Sequence, residues 1–260
     1  MSGAPILSLE AVTKRFGGLT VIDDLSVEVP RGARLALIGP NGAGKTTVFN
    51  LISGVYPVTS GRIALDGADV TRVKSSRRIR HGVVRSFQNI RLMTHLTAVE
   101  NVMLGQQCRA GRLGGALQPV GLGRRTRGRA AARAALADAG LEAHADAAIG
   151  ARPYGVQKRI DLVRALMAEP KLLLLDEPAA GLNATETADL QAQLERVAAT
   201  GVTMIVVEHD MHFVGAFCDR VVVLNFGRKI AEGRPDAVRE HPEVREAYLG
   251  SDETEARLAS

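Results

Sequence analysis

The chain contains no tryptophan, and aromatic residues of every kind make up only 3% of its 260 positions. A protein that reads single-stranded nucleic acid interleaves aromatic rings with its basic side chains. No aromatic residue lies between Arg109 and Arg133, where arginine is densest, so nucleic acid is not expected as a partner. Cysteine is equally scarce. Cys108 and Cys218 are the only two, which excludes a disulfide scaffold and a four-cysteine zinc module and suits a reducing compartment. Long apolar runs are missing too: stretches such as Leu172–Leu175 fall far short of the ~18 residues of a membrane span. Met1–Glu10 has no basic segment leading into an apolar one, and no signal peptide is expected. There is no internal repeat, no long linker and no Asn-Lys-x-Asp guanine motif.

What is present is ordinary globular material, 46% apolar and 23% charged, with a net charge of +5. That charge alone selects no partner. At roughly 100–200 residues per domain, the length fits one large domain or a core with a smaller subdomain. Short strand-like runs alternate with helical patterns, the mark of an α/β protein with a largely parallel sheet. Leu172–Leu175, Thr203–Val207 and Val221–Leu224 suit strands buried on both faces. Ile6–Val12, Thr20–Val29 and Gly61–Asp66 suggest a small antiparallel layer, with Arg34–Ile38 as a further strand. Helices are expected at Lys45–Ser53, Gln157–Ala168, Thr185–Ala198 (N-capped by Asn183) and His209–Phe217. Between about residues 90 and 150 the β signal vanishes; a helix at Ala130–Ala139 follows a Gly/Arg-rich loop, Gly105–Gly128.

Two motifs carry chemistry. Gly39-Pro40-Asn41-Gly42-Ala43-Gly44-Lys45-Thr46 matches G-x-x-x-x-G-K-[ST] between a strand and a helix. The glycines let backbone N–H groups face phosphate, Lys45 reaches the β and γ oxygens, and Thr46 offers its hydroxyl to Mg²⁺. Leu172–Leu175 then delivers Asp176 and Glu177 at a strand end, where ligands bind in parallel sheets. Asp176 would hold Mg²⁺; Glu177 would orient and activate the attacking water. Together these predict a nucleoside triphosphatase.

With these motifs in place the chain resembles the ATP-binding cassette family almost end to end. The resemblance implies a P-loop NTPase (RecA-like) core with an antiparallel β subdomain, over residues 1–88 and 165–260, and an inserted helical subdomain, 89–164. It places the adenine-stacking aromatic on Phe16, in Lys14-Arg15-Phe16-Gly17-Gly18, and extends the phosphate loop to Thr47. It puts the metal- and water-sensing glutamine on Gln88, the switch histidine on His209 in Glu208-His209-Asp210, and the D-loop on Ala179–Asn183. The signature falls on Arg152-Pro153-Tyr154-Gly155-Val156, where only Gly155 keeps the family's Leu-Ser-Gly-Gly-Gln. Pro153 lacks the serine hydroxyl but suits a first helical turn, so Tyr154 and Gly155 would meet the partner's ATP through backbone donors.

The Pro-Tyr-Gly variant, the phosphate-loop run, Asp176-Glu177-Pro178-Ala179-Ala180-Gly181-Leu182-Asn183 and the tail Ala247–Gly250 resemble the ATPase subunits of branched-chain amino acid importers. The expectation is a peripheral subunit on the cytoplasmic face of the membrane. It would use ATP and Mg²⁺, power transmembrane permease subunits, and serve a substrate-binding protein indirectly. It would pair with a second cassette, a different one because this signature is altered. A urea or amide importer, or a lipid or lipopolysaccharide exporter, is the alternative. The arginine-rich loop reads either as a solvated surface or as a docking face for acidic lipid or permease.

Overall fold

The computed structural model describes residues 4–86, 90–109 and 122–249. The N-terminal part runs Leu7–Phe16 (β1), Leu19–Val29 (β2), Arg34–Ile38 (β3), Lys45–Ile52 (α1), Ser60–Leu65 (β4), Ala68–Asp69 (β5), Ser75–Arg78 (α2) and Val83–Ser86 (β6). Three helices follow: Ala98–Arg109 (α3), Leu122–Asp138 (α4) and Tyr154–Leu166 (α5). The chain then continues Leu172–Asp176 (β7), Ala184–Ala199 (α6), Thr203–Val207 (β8), Met211–Phe217 (α7), Arg220–Asn225 (β9), Arg228–Gly233 (β10), Pro235–Arg239 (α8) and Pro242–Leu249 (α9).

Two sheets form, a four-stranded one in the order β2-β1-β4-β5 and a six-stranded one in the order β10-β9-β3-β8-β7-β6. The first is antiparallel. In the second, β9, β3, β8, β7 and β6 are parallel, and β10 pairs antiparallel at the edge.

Alternation along the parallel strands divides the core. Leu35, Leu37, Leu172, Leu174, Ile205 and Val207 pack with Phe49 against the antiparallel layer. Ala36, Ile38, Leu173, Leu175, Met204 and Val206 face the other way, onto Leu190 and Leu194 of α6 and Phe213 and Phe217 of α7. Successive side chains of a strand point to opposite faces, so apolar runs without alternation are what a doubly covered sheet needs. A third cluster, including Leu92, Val99, Val102, Leu136, Ile149, Ile160 and Val163, joins α3, α4 and α5.

Several expected boundaries move. Strands β6 and β10, which the sequence did not reveal, lie at the two edges of the six-stranded sheet and carry polar residues in short spans. The loop expected over Gly105–Gly128 is largely helix at both ends: Gly105 lies in α3 and residues 122–128 open α4. Arginine is a good helix former, and Gly105 serves contact rather than a turn, since a Cβ there would stand 2.0 Å from the Arg164 carbonyl oxygen. The remainder of that loop, 110–121, lies outside the described residues. Helix α5 begins at Tyr154 rather than Gln157, with Pro153 at its N-cap rather than inside its first turn. Helix α7 begins after Asp210, whose side chain accepts from the His212 and Phe213 N–H groups, so His209 is left on the loop before it.

Candidate functional site

Strands β3, β8 and β7 are neighbours, and their carboxyl ends carry the phosphate-loop motif, His209 and Glu177 respectively. Topology alone therefore gathers three segments that lie far apart in the sequence. The loop after β3 needs its glycines. Gly42 and Gly44 hold φ of +81° and +103°, and a Cβ at Gly44 would approach Ile22 Cδ1 to 2.6 Å. A Cβ at Gly39 would stand 2.1 Å from the Leu224 carbonyl oxygen.

Helix α1 starts from Gly44 with no side-chain cap and no acidic residue in its first turn. Its leading N–H groups, at Lys45, Thr46 and Thr47, thus point a positive end toward the loop. The Lys45 amine is buried and donates to the carbonyls of Gly39 (2.6 Å) and Pro40 (2.9 Å). Desolvation pulls its pKa down, opposed by the charges of Glu177 and Asp176. A cation folded onto two carbonyls beside an uncapped helix start is suited to an anionic ligand.

Asp176 closes β7, and its carboxylate accepts from Arg85 Nη2 at 2.5 Å. Arg85 also donates to Asn50 Oδ1 at 2.6 Å. The Thr46 hydroxyl and the Asp176 carboxylate are hard oxygen donors of the kind Mg²⁺ takes. Glu177 follows with φ +45°, a left-handed conformation rare for a side-chain-bearing residue. Its N–H donates to Val207 O (2.9 Å), and its Oε1 lies 3.1 Å from His209 Nε2. The arrangement couples a carboxylate to an imidazole at the rim of a positive loop, which is what activation of a water beside a phosphate requires.

Phe16 stands at the end of β1, 42% exposed, edge-on to Tyr56 at 5.2 Å between centroids. The Lys14 amine sits 4.6 Å from its ring centre. The β1–β2 layer is tied to the phosphate loop through Gly227, whose N–H donates to Ala43 O and whose carbonyl accepts from the Asp23 N–H, both at 3.0 Å.

In the signature segment Tyr154 is 42% exposed, and Gly155 lies so near Glu186 that a Cβ would come within 2.6 Å of its carboxylate. Glu186 is fixed by a reciprocal capping box with Asn183 at the start of α6. Gln88 lies outside the described residues. The structure thus groups Lys45, Thr46, Asp176, Glu177 and His209, with Phe16 on the adjoining layer and Tyr154 and Gly155 on the helix beside the turn after Glu177.

Sequence reading passed over three polar side chains here. Glu208, buried, accepts from the Ala179 N–H (2.8 Å) and the His209 N–H (3.2 Å). Lys158, buried in α5, donates to Glu177 O at 3.2 Å. Tyr248 of α9 meets the Gly39 backbone, and burial pushes its phenol up to about 12. All three depend on contacts distant in sequence; only the position of Tyr248 in the tail motif was a signal.

A family model described as ABC transporter matches residues 22–180, more than half of the chain. The chain belongs to the ABC transporter family. It is an ATP-binding and ATP-hydrolysing cassette of that family. A second model, described as branched-chain amino acid ATP-binding cassette transporter, matches residues 228–254, which include Tyr248. The cassette is 41% identical over 251 residues to the high-affinity branched-chain amino acid transport ATP-binding protein BraF of Pseudomonas aeruginosa, covering 95% of this chain and 98% of the relative. It is 39% identical to LivG of Escherichia coli, which carries the same description, with the same coverage. Among solved structures, the ADP conformation of MJ1267, an ATP-binding cassette of an ABC transporter, superposes with a TM-score of 0.85 at 29% identity, over 96% of this chain and all of that one. The dimeric post-hydrolysis state of the cassette MJ0796, bound to ADP and Pi, gives 0.73 at 26% identity, over 88% and 98%.

Proposed function

We propose that this cassette is the motor of an importer for branched-chain or other hydrophobic amino acids, peripheral at the cytoplasmic face of the membrane. The observation that carries the ATPase part is the meeting of Glu177 and His209 beside the Lys45 loop. The transport part is supported by the relatives' descriptions and by the match of the C-terminal segment. The working division is a nucleotide-binding core over residues 1–88 and 165–260, with 89–164 as the helical subdomain.

In this reading Phe16 stacks on the adenine, and the loop Gly39–Thr47 holds the phosphates. The Lys45 amine exchanges the Gly39 and Pro40 carbonyls for phosphate oxygens. The Thr46 hydroxyl and Asp176 would hold Mg²⁺, the family resemblance assigns Gln88 to sensing it, and Arg85 holds one Asp176 oxygen. When bound, Mg²⁺ neutralises charge that builds on the phosphate oxygens. Glu177 takes the proton of the attacking water, and His209 holds that water and the carboxylate in register.

Two cassettes would close head to tail, each P-loop facing the other's Tyr154–Gly155 helix start. Pro153 in place of serine weakens one composite site and favours a second, different cassette as partner. The test is purification of the tagged chain from its own membranes in mild detergent. Recovery of membrane-spanning permeases and a second cassette, with amino-acid-stimulated phosphate release in vesicles holding the cognate binding protein, is the expected result. A soluble assembly without permease would overturn the transport reading and leave the ATPase chemistry standing.

A further inference from the structure

Glu177 owes its aim to a backbone conformation that a side-chain-bearing residue adopts reluctantly, φ +45°. Its peptide neighbours must hold it there. On one side its N–H is fixed by Val207 O of β8 at 2.9 Å. On the other, its carbonyl accepts from the Ala180 N–H and from the Lys158 amine, each at 3.2 Å. The first two are local consequences of the sheet and turn. The third comes from a different element, the helix that begins at the signature segment.

Lys158 is 7% exposed, and its amine is 5.7 Å from the centre of the Tyr154 ring, one helical turn earlier on the same face. Tyr154 in turn lies on the D-loop: a Cβ at Gly181 would be 3.2 Å from its Cε1. One face of α5 therefore packs on the turn that follows Glu177, with the lysine at its centre. Burial lowers the Lys158 pKa, while the carboxylates of Glu208, Asp161, Glu177 and Asp176 all favour its charged form.

We infer that Lys158 is a positioning residue for hydrolysis, a donor on the signature helix that holds the Glu177 peptide in its strained form and so keeps the carboxylate on His209. This rests on the proposed role of Glu177. In a head-to-tail dimer the signature helix touches the nucleotide opposite its own Glu177. The Lys158 bond therefore makes the base of one site sensitive to the helix that reads the other.

The test uses the transporter complex purified through a tag on this chain, with Lys158→Met and Lys158→Arg beside the wild type. Methionine keeps most of the stem and removes the donor and charge; arginine restores both. The expected result for Lys158→Met is a fall of about tenfold or more in kcat, with KM and Kd for ATP within about twofold of wild type. Lys158→Arg should recover kcat to within about threefold. Wild-type kcat in Lys158→Met, or a loss seen equally in KM and Kd, overturns the inference. If the Met variant melts below the assay temperature, the Arg variant decides, and a tenfold loss there sinks the idea. Failure of the wild-type complex itself to hydrolyse ATP would instead remove the proposed function, and the inference with it.

Discussion

Glu177 Oε1 and His209 Nε2 stand 3.1 Å apart, at the ends of strands β7 and β8 that pair side by side. Thirty-two positions separate them in sequence, and the pairing of β7 with β8 brings the two strand ends together. The protein's own contacts therefore aim the carboxylate at the imidazole. Such preorganisation is where catalytic groups gain most of their advantage.

Glu177→Gln keeps the shape of the side chain and removes its capacity to take a proton. Turnover should fall by about 10² or more, the usual scale of a general base, while ATP affinity is held. Phosphate release and nucleotide titration measured on the same preparation check this. Unchanged turnover would place the base elsewhere.

Lys45→Ala acts on binding. The buried amine is desolvated; it donates to two loop carbonyls and feels the charges of Glu177 and Asp176, and its loss should disturb folding less than nucleotide binding. With phosphate bound, the missing charge-assisted contact should weaken ATP by about tenfold or more, at roughly 1.5–3 kcal/mol for such a bond. Calorimetric titration reads it directly; wild-type affinity would contradict the phosphate-cradle assignment.

The parts legible in the sequence were those in which spacing alone fixes chemistry. The phosphate loop is contiguous, and Leu172–Leu175 announced a strand buried on both faces with Asp176 and Glu177 at its end. Asn183 was legible as a cap because asparagine favours that position ahead of a helical pattern; the reciprocal bond with Glu186 three residues on came from the structure. Strands β6 and β10 were not, because a sheet edge tolerates Arg85, Ser86, Arg228 and Lys229, which blur any apolar pattern. Nor could the polar ties of Glu208 to Ala179 or Lys158 to Glu177 be read, as each spans many positions and exists only once strands and helices are stacked.

Glu208 predicts a pH dependence of stability. Burial raises its pKa above the ordinary 4.5, helped by the charges of Glu177 and Asp210 and opposed by the N–H groups of Ala179 and His209. A carboxyl with a raised folded-state pKa binds its proton more tightly folded than unfolded. Its contribution is therefore complete below 4.5 and is lost as pH rises from there through the folded value. Glu208→Gln cannot ionise, so its melting temperature should gain on the wild type as pH climbs through that window. Asp161 shifts the same way and leaves both proteins a common residual slope. Parallel melting curves across that range would show that Glu208 titrates as if exposed.

Arg78 makes the strongest stability prediction. It is 2% exposed, and it donates through Nη1 to the carbonyls of Leu51 (2.7 Å) and Ile52 (2.5 Å), through Nη2 to Val70 O (2.7 Å), and through Nε to Val73 O (3.0 Å). Leu51 and Ile52 close helix α1, where carbonyls lack intrahelical partners and a cation is favoured. Burial lowers the guanidinium pKa to about 10, which still leaves it charged at neutral pH. Arg78→Met keeps the stem and removes four hydrogen bonds. The Leu51 and Val70 carbonyls retain the N–H groups of Gly54 and Val73, while those of Ile52 and Val73 lose the guanidinium donor, so unfolding free energy should drop by about 3 kcal/mol. Lysine is a point charge that cannot serve four diverging carbonyls, and Arg78→Lys should recover only a minor part. Because Arg78 grips the end of α1 opposite the phosphate loop, ATP affinity measured under folding conditions should stay near wild type. Denaturant melts of the three proteins decide the matter. A Met variant within about 0.5 kcal/mol of wild type would mean that water replaces the guanidinium at those carbonyls.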